Sequence, residues 1–467
     1  MKIGIVGPSY KQRSLPFDAQ RSINLFPIMD EMGKEVASMY GTPGLSSFSS
    51  AGAGPHRGAF KSGNGRVFFV SGTELYEVDS GGNATLRGSF FTSVGTVTMA
   101  EGTTQLAICD GQSLYSFTYS SNAFAQVTSS GLPLGVGYVT NIDGFFIVSE
   151  NDSGRFYISS LNDVTTWSAL DFATAESKPD ELIAVINGIG QLWFFGETST
   201  EIWSNTGASS FPFSRIDGAV MQVGILAKNS AIEVDNTVMW VGQDEFGSGI
   251  VYRAKGFSPQ RISTTPIEKL ISEATSPGDI VAWAYQEEGH VFYVLTGGGL
   301  ETSLVYDLTT QAWHERAYLN DDGDFKQHLG SCHVFAFNKH LIGDRRNGNI
   351  YEMSLDYYDD AGDEIARERI YTHIVDEDRR IRYNRLRIGF ETGVGLQSGQ
   401  GSAPLVSLQL SKDGARTWSN WYTASIGAVG QYQTSVEFRR LGIAETMTFK
   451  IRMTDPVKTV VTGSYLS

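Results

Sequence analysis

Seven short apolar runs, each followed by a Gly- or Asp-bearing turn and a second aromatic or branched run, constrain this chain more than any other feature. They begin at Phe68, Ala107, Phe146, Trp193, Met239, Phe292 and His340, with gaps of 39, 39, 47, 46, 53 and 48 residues. A period of roughly 40–50 residues that carries strands and no helical pattern marks a β-propeller, one four-stranded blade per repeat. Blade cores then add one after another, which lets 467 residues fold without one outsized core. Val67 to Val70, the turn Ser71 to Glu74 and Leu75 to Val78 spell strand, turn, strand. Leu106 to Cys109, Asp110-Gly111 and Leu114 to Phe117 repeat the pattern, and Asp-Gly tolerates the positive φ that tight hairpins need. Gln191 to Phe195 with Thr200 to Trp203, and Val291 to Leu295 with Ser303 to Asp307, are further copies. The last runs through Leu308 to Gln311 into Trp313, which is expected to pack between adjacent sheets.

Outside the repeats the pattern changes twice. Residues 1–55 read as a loop-rich arm, because Pro8, Pro16, Pro27 and Pro43 prevent long regular elements. Phe17, Ile23, Leu25, Phe26 and Leu45 are apolar enough to anchor that arm on a neighbouring surface, partly on the propeller. Residues 56–365 hold the propeller. Six or seven blades both fit, depending on whether the stretch before Phe68 and the stretch near residue 340 complete one shared blade. Ile267 to Ala274 alone shows apolar spacings of three and four, which predicts one short helix on a face of the ring. Asp356 to Glu364 gathers five acids around a Gly turn and marks a boundary near 365, read as a solvated hinge. In residues 366–467, Ile370 to Ile374, Ile381 to Phe390, Leu405 to Leu410, Tyr432 to Phe438 and Met447 to Met453 alternate without the blade period. That pattern predicts a C-terminal β-sandwich-like domain, so the fold class is all-β.

The formal net charge of −15 argues against a DNA-wrapping surface, although an acidic wall leaves a passing polymer free to slide. Cys109 and Cys332 match no metal or redox spacing and read as buried thiols. The N-terminal MKIGIVGPSYKQRS has no sustained apolar core of a signal peptide, and no run approaches the roughly 20 apolar residues of a bilayer span. A chain made and kept in the cytoplasm of its producing cell is expected.

Candidate chemistry is sparse. Ser411-Lys412-Asp413-Gly414-Ala415-Arg416-Thr417-Trp418 matches the Asp-box hairpin of sialidases, in which the Asp caps a turn and the Trp buries beside it. A single copy outside the propeller stabilises a hairpin and marks no active site. Asp356, Asp359, Asp360, Asp363 and Glu364 lack EF-hand spacing, and Asp321, Asp322 and Asp324 around Gly323 read as a polar turn. The seven histidines have no ligand spacing, there is no G-x-S-x-G elbow, and Gly4 with Gly7 makes no dinucleotide fingerprint. Five arginines lie within Arg379 to Arg387. Alternation puts Arg380, Arg382 and Asn384 on one strand face and Arg379, Ile381 and Tyr383 on the other. Such a face suits a salt-bridged subunit contact, a solvated surface or DNA phosphates. No catalytic, cofactor-binding or metal residue is assigned, and no cofactor is expected.

Five segments, in three groups, together carry a resemblance. Phe17 to Pro27 (FDAQRSINLFP) with Gly41 to Leu45 (GTPGL), Ala175 to Ile186 (AESKPDELIAVI) with Phe195 to Gly207 (FGETSTEIWSNTG), and Thr264 to Glu273 (TTPIEKLISE) resemble the packaged-DNA stabilisation proteins of short-tailed phages. Their order, their spacing and the chain length agree over nearly the whole sequence. The resemblance implies a virion structural protein, a tail hub or nozzle, that forms a homohexameric ring below the portal and its adaptor (the head-to-tail connector). It further implies that the ring closes the channel on packaged double-stranded DNA and conducts it during ejection without sequence-specific binding. Its implied neighbours are a tail needle or tip protein and a tailspike or tail fibre, with no membrane insertion by this chain. The resemblance supplies no catalytic residues: Pro179-Asp180 and Glu201-Ile202-Trp203 become scaffold positions. The alternatives are a propeller glycosidase, whose acid pair nothing singles out among 51 acids, and a glycan-binding module acting on host surface polysaccharide.

Overall fold

A computed structural model describes residues 2–16, 18–29, 37–175, 178, 180–375 and 379–467. Among these, strands dominate and form seven blade sheets followed by a sandwich. The first blade is the meander His56–Lys61, Val67–Ser71, Glu74–Val78 and Ala84–Ser89, closed by the tight turn that Ser71 and Glu74 flank. Later blades span 98–126, 136–174, 182–221, 224–261 and 280–319. In the fifth, the innermost strand is split into Gly224–Ile225 and Ile232–Val234, both paired with Thr237–Gln243. The seventh takes three strands from 330–354, and its outermost strand, Gly44–Ser50, comes from near the N-terminus and pairs antiparallel with Asn349–Ser354. The blade count is therefore seven, and chain segments about 300 residues apart complete the last blade.

Seven apolar cores alternate with the seven blades, because each sheet buries both faces against its neighbours. Phe68 and Val70 of the first blade meet Leu106, Tyr115 and Phe117 of the second. Phe156 stacks on Phe194 between the third and fourth, ring centroids 4.2 Å apart. Trp240 fills the gap between the fourth and fifth. Trp313 packs between the fifth and sixth, as its place in the repeat predicts, and its indole N–H donates to Ile262 O at 3.0 Å. Each such aromatic contributes about 1.5–3 kcal/mol by burial. The helix Thr265–Ser272 connects the fifth and sixth blades and buries Ile267 and Ile271 in the core between them.

The sandwich has two sheets. One runs Leu25–Met29, Ala37–Gly41, Val460–Leu466, Ile381–Phe390, Val436–Ala444; the other contains Ala19–Ile23, Arg367–Ile370, Thr446–Met453, Leu405–Ser411 and Tyr422–Ser425. Leu386, Phe438, Phe449, Ile451 and their neighbours fill the space between.

The described residues among 2–55 differ from a loop-rich arm. They carry short strands of two to seven residues that supply both sandwich sheets and the seventh blade. Pro27 is tolerated because Leu25–Met29 is an edge strand, where a missing N–H breaks no ladder bond. Ile23, Leu25, Phe26 and Leu45 are buried within the chain itself, Leu25 in the sandwich core and Phe26 and Leu45 between the sixth and seventh blades, so they are not free to anchor the arm elsewhere. Phe17 lies outside the described residues.

Candidate functional site

The innermost strands of all seven blades surround a central cavity of about 1010 Å³, lined among others by Arg57, Tyr138, Asn187, Glu233, Trp283 and Arg345. Its buried cations are already engaged. Arg57 donates to the carbonyls of Gly72, Thr92, Val94 and Gly95 and to Thr92 Oγ1 at 2.6–2.9 Å, which ties down the connection between the first two blades. Arg345 bonds Gln327. His333 lies 3.0 Å from His340, and burial lowers the pKa of His333 and of His328 to about 3. Both are neutral and weakly basic at neutral pH, unsuited to general-base work. Among the described residues, no group of three or more His, Cys, Asp or Glu could hold a metal ion.

The residues singled out by sequence scatter into structural roles. Cys109 and Cys332 are buried apart in different cores, and burial pushes their thiols up to about 12 and about 11. Asp413 accepts from the N–H groups of Arg416 and Thr417 and from the hydroxyls of Thr417 and Ser411, which caps its turn and holds its carboxyl well below the usual range. Trp418 departs from the Asp-box expectation: it is half-buried, with Lys450 Nζ 4.3 Å from its ring centroid. Asp321, Asp322 and Asp324 sit on an exposed turn braced by Asn320 Oδ1.

The acid cluster is more than a solvated hinge. Asp359–Asp360 and Asp363–Glu364 form a small hairpin against Gly44–Ser50, and Asp360 is buried there with one carboxylate oxygen unpartnered. Burial raises its carboxyl from 3.8 to about 7, opposed by Arg367. Asp180 accepts from Thr198 N–H and Ser199 Oγ, while Pro179 lies outside the described residues. Glu201 is buried and accepts from Trp203 Nε1 at 2.8 Å, and Ile202 is in the core between the fourth and fifth blades.

What sequence reasoning missed is the junction between propeller and sandwich. Ile23 pairs with Glu315 on the outermost main strand of the sixth blade, while Arg21, Ser22 and Ile23 pair with Ile370, Arg369 and Glu368. Blade and sandwich thereby share one continuous sheet. Glu315, wholly buried, accepts from Arg21 (Nη2 at 2.7 Å), Ser9 Oγ and Thr302 Oγ1, and Arg21 holds its carboxyl below the usual range. Asn24 donates to Ala317 O and Ala366 O and accepts from Ala317 N, which staples blade to linker. Arg369 is buried and donates to Ile5 O, Pro8 O and Gln20 Oε1. The alternating Arg367-Glu368-Arg369 strand was the available signal: charges on both faces of a strand require partners.

The arginine run forms the outer face of the sandwich. Tyr383, Leu386 and Ile388 point into the core, while Arg382, Arg385 and Arg387 are exposed beside Arg439 and Arg440 of the neighbouring strand. Alternation put Arg380, Arg382 and Asn384 on one face and Arg379, Ile381 and Tyr383 on the other. Arg382 and Asn384 are exposed and Tyr383 is buried, while Arg379 and Arg380, ahead of the strand, are both exposed. A bulge opposite Arg440 then breaks the alternation, so Asn384 and Arg385 are both exposed.

A seven-bladed propeller whose sixth-blade sheet continues into a β-sandwich, with buried charges bracing the junction, is the architecture these residues build. The chain belongs to the phage DNA-stabilisation tail-hub family: the family model described as "Bacteriophage P22 Gp10, beta-propeller" matches residues 1–358, and the one described as "Bacteriophage P22 Gp10, beta-sandwich" matches residues 367–467. This is a family of phage tail structural proteins, which places the chain in the virion tail among other virion proteins. No curated protein matches the chain. Solved structures with partial likeness to this chain include the N-terminal domain of Nup159 (10% identity, 72% of this chain and 98% of that one, TM-score 0.41). Others are the computationally designed Ika8 protein (12%, 66% and 99%, TM-score 0.39) and the extracellular domain of a putative hybrid two-component system from B. thetaiotaomicron (10%, 90% and 59%, TM-score 0.46). TM-scores this low establish neither topology nor function.

Proposed function

We propose that six copies of this chain close into a ring, a tail hub or nozzle below the portal and its adaptor, which retains packaged DNA and conducts it during ejection. The observation that carries this reading is the match of two consecutive tail-hub family domains over residues 1–358 and 367–467. The shared sheet at Ile23 and Glu315 supports it physically, because a ring element that bears the pressure of packaged DNA needs domains that do not swing. Repeated heterologous contacts close such a ring by rotation. A net charge of −15 favours a channel on which DNA slides without adhering, and a ring with a strongly basic lumen contradicts this part of the reading.

Around the ring we place a needle or tip protein and tailspikes or fibres, with synthesis in the host bacterial cytoplasm. The working division is a connecting arm (1–55), a propeller (56–365) and a sandwich (366–467), with the arm lending strands to both. The role is mechanical and assigns no catalytic, cofactor or metal residue. Mass measurement of the purified chain, alone and with adaptor, tests the proposal: a closed hexamer on the adaptor is expected, and a chain that stays monomeric with adaptor present overturns it.

A further inference from the structure

Charge divides sharply along this chain. Residues 366–467 contain 14 Lys and Arg against 9 Asp and Glu, whereas residues 1–365 contain 22 against 42. The sandwich sequence is therefore net basic and the remainder strongly acidic.

The basic excess is concentrated on a built surface. Arg382, Arg385, Arg387, Arg439 and Arg440 are exposed on the outer face of the sheet formed by Ile381–Phe390 and Val436–Ala444. Glu437 pairs with Arg385 and Arg439 at 3.5 and 2.9 Å, while Arg382, Arg387 and Arg440 make no ion pair among the described residues. Two large apolar side chains stand among the arginines: Tyr465, 42% exposed, is opposite Arg387, and Ile443, 47% exposed, is opposite Arg382. Arginine with tyrosine and aliphatic side chains is the composition of contact surfaces. The backbone is also held in a costly shape to make this face. Arg440 has φ 62°, a left-handed conformation that a non-glycine residue adopts only at a cost, and the bulge there exposes two consecutive arginines.

The complementary surface is on the propeller. Each blade is a meander whose first-to-second and third-to-fourth strand turns emerge on the same face. Those turns and the strand ends beside them bring Asp79, Asp143, Glu233, Asp235 and Glu288 to that face, all exposed, against exposed Lys61, Lys255 and Arg215, while Arg66, Arg253 and Lys339 there are paired to Glu77, Asp235 and Glu352.

We infer that the arginine face of the sandwich docks on the acidic turn face of the propeller of a second copy of this chain. The contact is heterologous, basic patch to acidic patch, and so repeats from copy to copy. This rests on the ring reading and names the surfaces that make the ring. Double-stranded DNA is the less favoured occupant, because the acidic bulk of the chain repels a polyanion approaching the same face.

The test compares the full-length chain with R382E/R387E/R440E, alone and on the adaptor ring, by mass measurement at low and high salt. The wild type is expected to associate, more weakly at high salt, and the triple variant to associate at least about tenfold more weakly while its melting temperature holds. The uncharged R382Q/R387Q/R440Q variant is expected to fall between them. Adding D143K/E233K/E288K to the arginine reversal is expected to restore association, which no general loss of folding can mimic. A triple variant that assembles like wild type overturns the inference and leaves the ring intact. A wild type that stays monomeric even with adaptor overturns the ring itself. Wild-type retention of double-stranded DNA that the variant loses, with self-association unchanged, assigns the face to nucleic acid and also overturns the inference.

Discussion

Ile23 pairs in parallel register with Glu315, and through that pair the sixth blade and the sandwich become one sheet. The pairing lies beside a braced buried charge, because the Glu315 carboxylate is buried and takes hydrogen bonds from Arg21, Ser9 and Thr302. The ion pair and the Asn24 hydrogen bonds to Ala317 and Ala366 together tie blade to sandwich.

Arg21→Ala leaves Glu315 buried without its cation and is expected to destabilise the chain by roughly 3–5 kcal/mol in denaturant unfolding. Adding Glu315→Gln should recover part of the loss. Because Glu315 titrates below its ordinary 4.5, its contribution is present above that pH and is lost as pH falls through the folded value. An acid-induced destabilisation that Glu315→Gln does not flatten contradicts this account.

Asp360 behaves in the opposite sense. Its carboxyl is raised from 3.8 to about 7, so the folded chain favours the protonated form and loses stability as pH rises between those values. Asp360→Asn cannot ionise and is expected to match wild type near pH 4 and exceed it by about 1–4 kcal/mol at pH 8, at ~1.4 kcal/mol per pH unit. Thermal melts across that range decide the matter, and a difference independent of pH contradicts the assignment.

Gly44 opens the strand that closes the seventh blade. A Cβ there would lie 2.5 Å from Asp359 O and 2.6 Å from Tyr357 O, both backbone atoms with little freedom to move. Gly44→Ala is therefore expected to cost about 1–3 kcal/mol. Hydrogen exchange should show the loss concentrated in Gly44–Ser50 and Asn349–Ser354, with the second and third blades unchanged.

Arg440→Gly relieves the left-handed residue in the sandwich bulge and is expected to raise stability by up to about 1 kcal/mol. If the arginine face joins copies, the same change weakens self-association. A purely structural role moves the melting temperature alone.

The blades were legible because their hydrogen bonds are local. Val67–Ser71 and Glu74–Val78 are joined by a two-residue turn, and their alternation and turn residues sit side by side in sequence. Beyond the local Tyr10–Lys11, the partners of Ala19–Ile23, like those of Gly44–Ser50, lie about 300 residues away or more, and an alternating run specifies which face is apolar without specifying what it pairs with. Trp418 was misjudged for a related reason. Its motif describes a turn, but Lys450 from a distant strand covers its ring and leaves it half-buried.

The linear order of residues determined the repeating blades, the all-β class, the change of pattern beyond residue 365 and the family, since each rests on short-range pattern or on segments in series. Only the tertiary structure decided the seventh blade, the sheet that joins propeller to sandwich, and the gathering of five arginines on one outer face. Those depend on pairings between remote segments, where loop-closure entropy must be met by contacts that no local window contains.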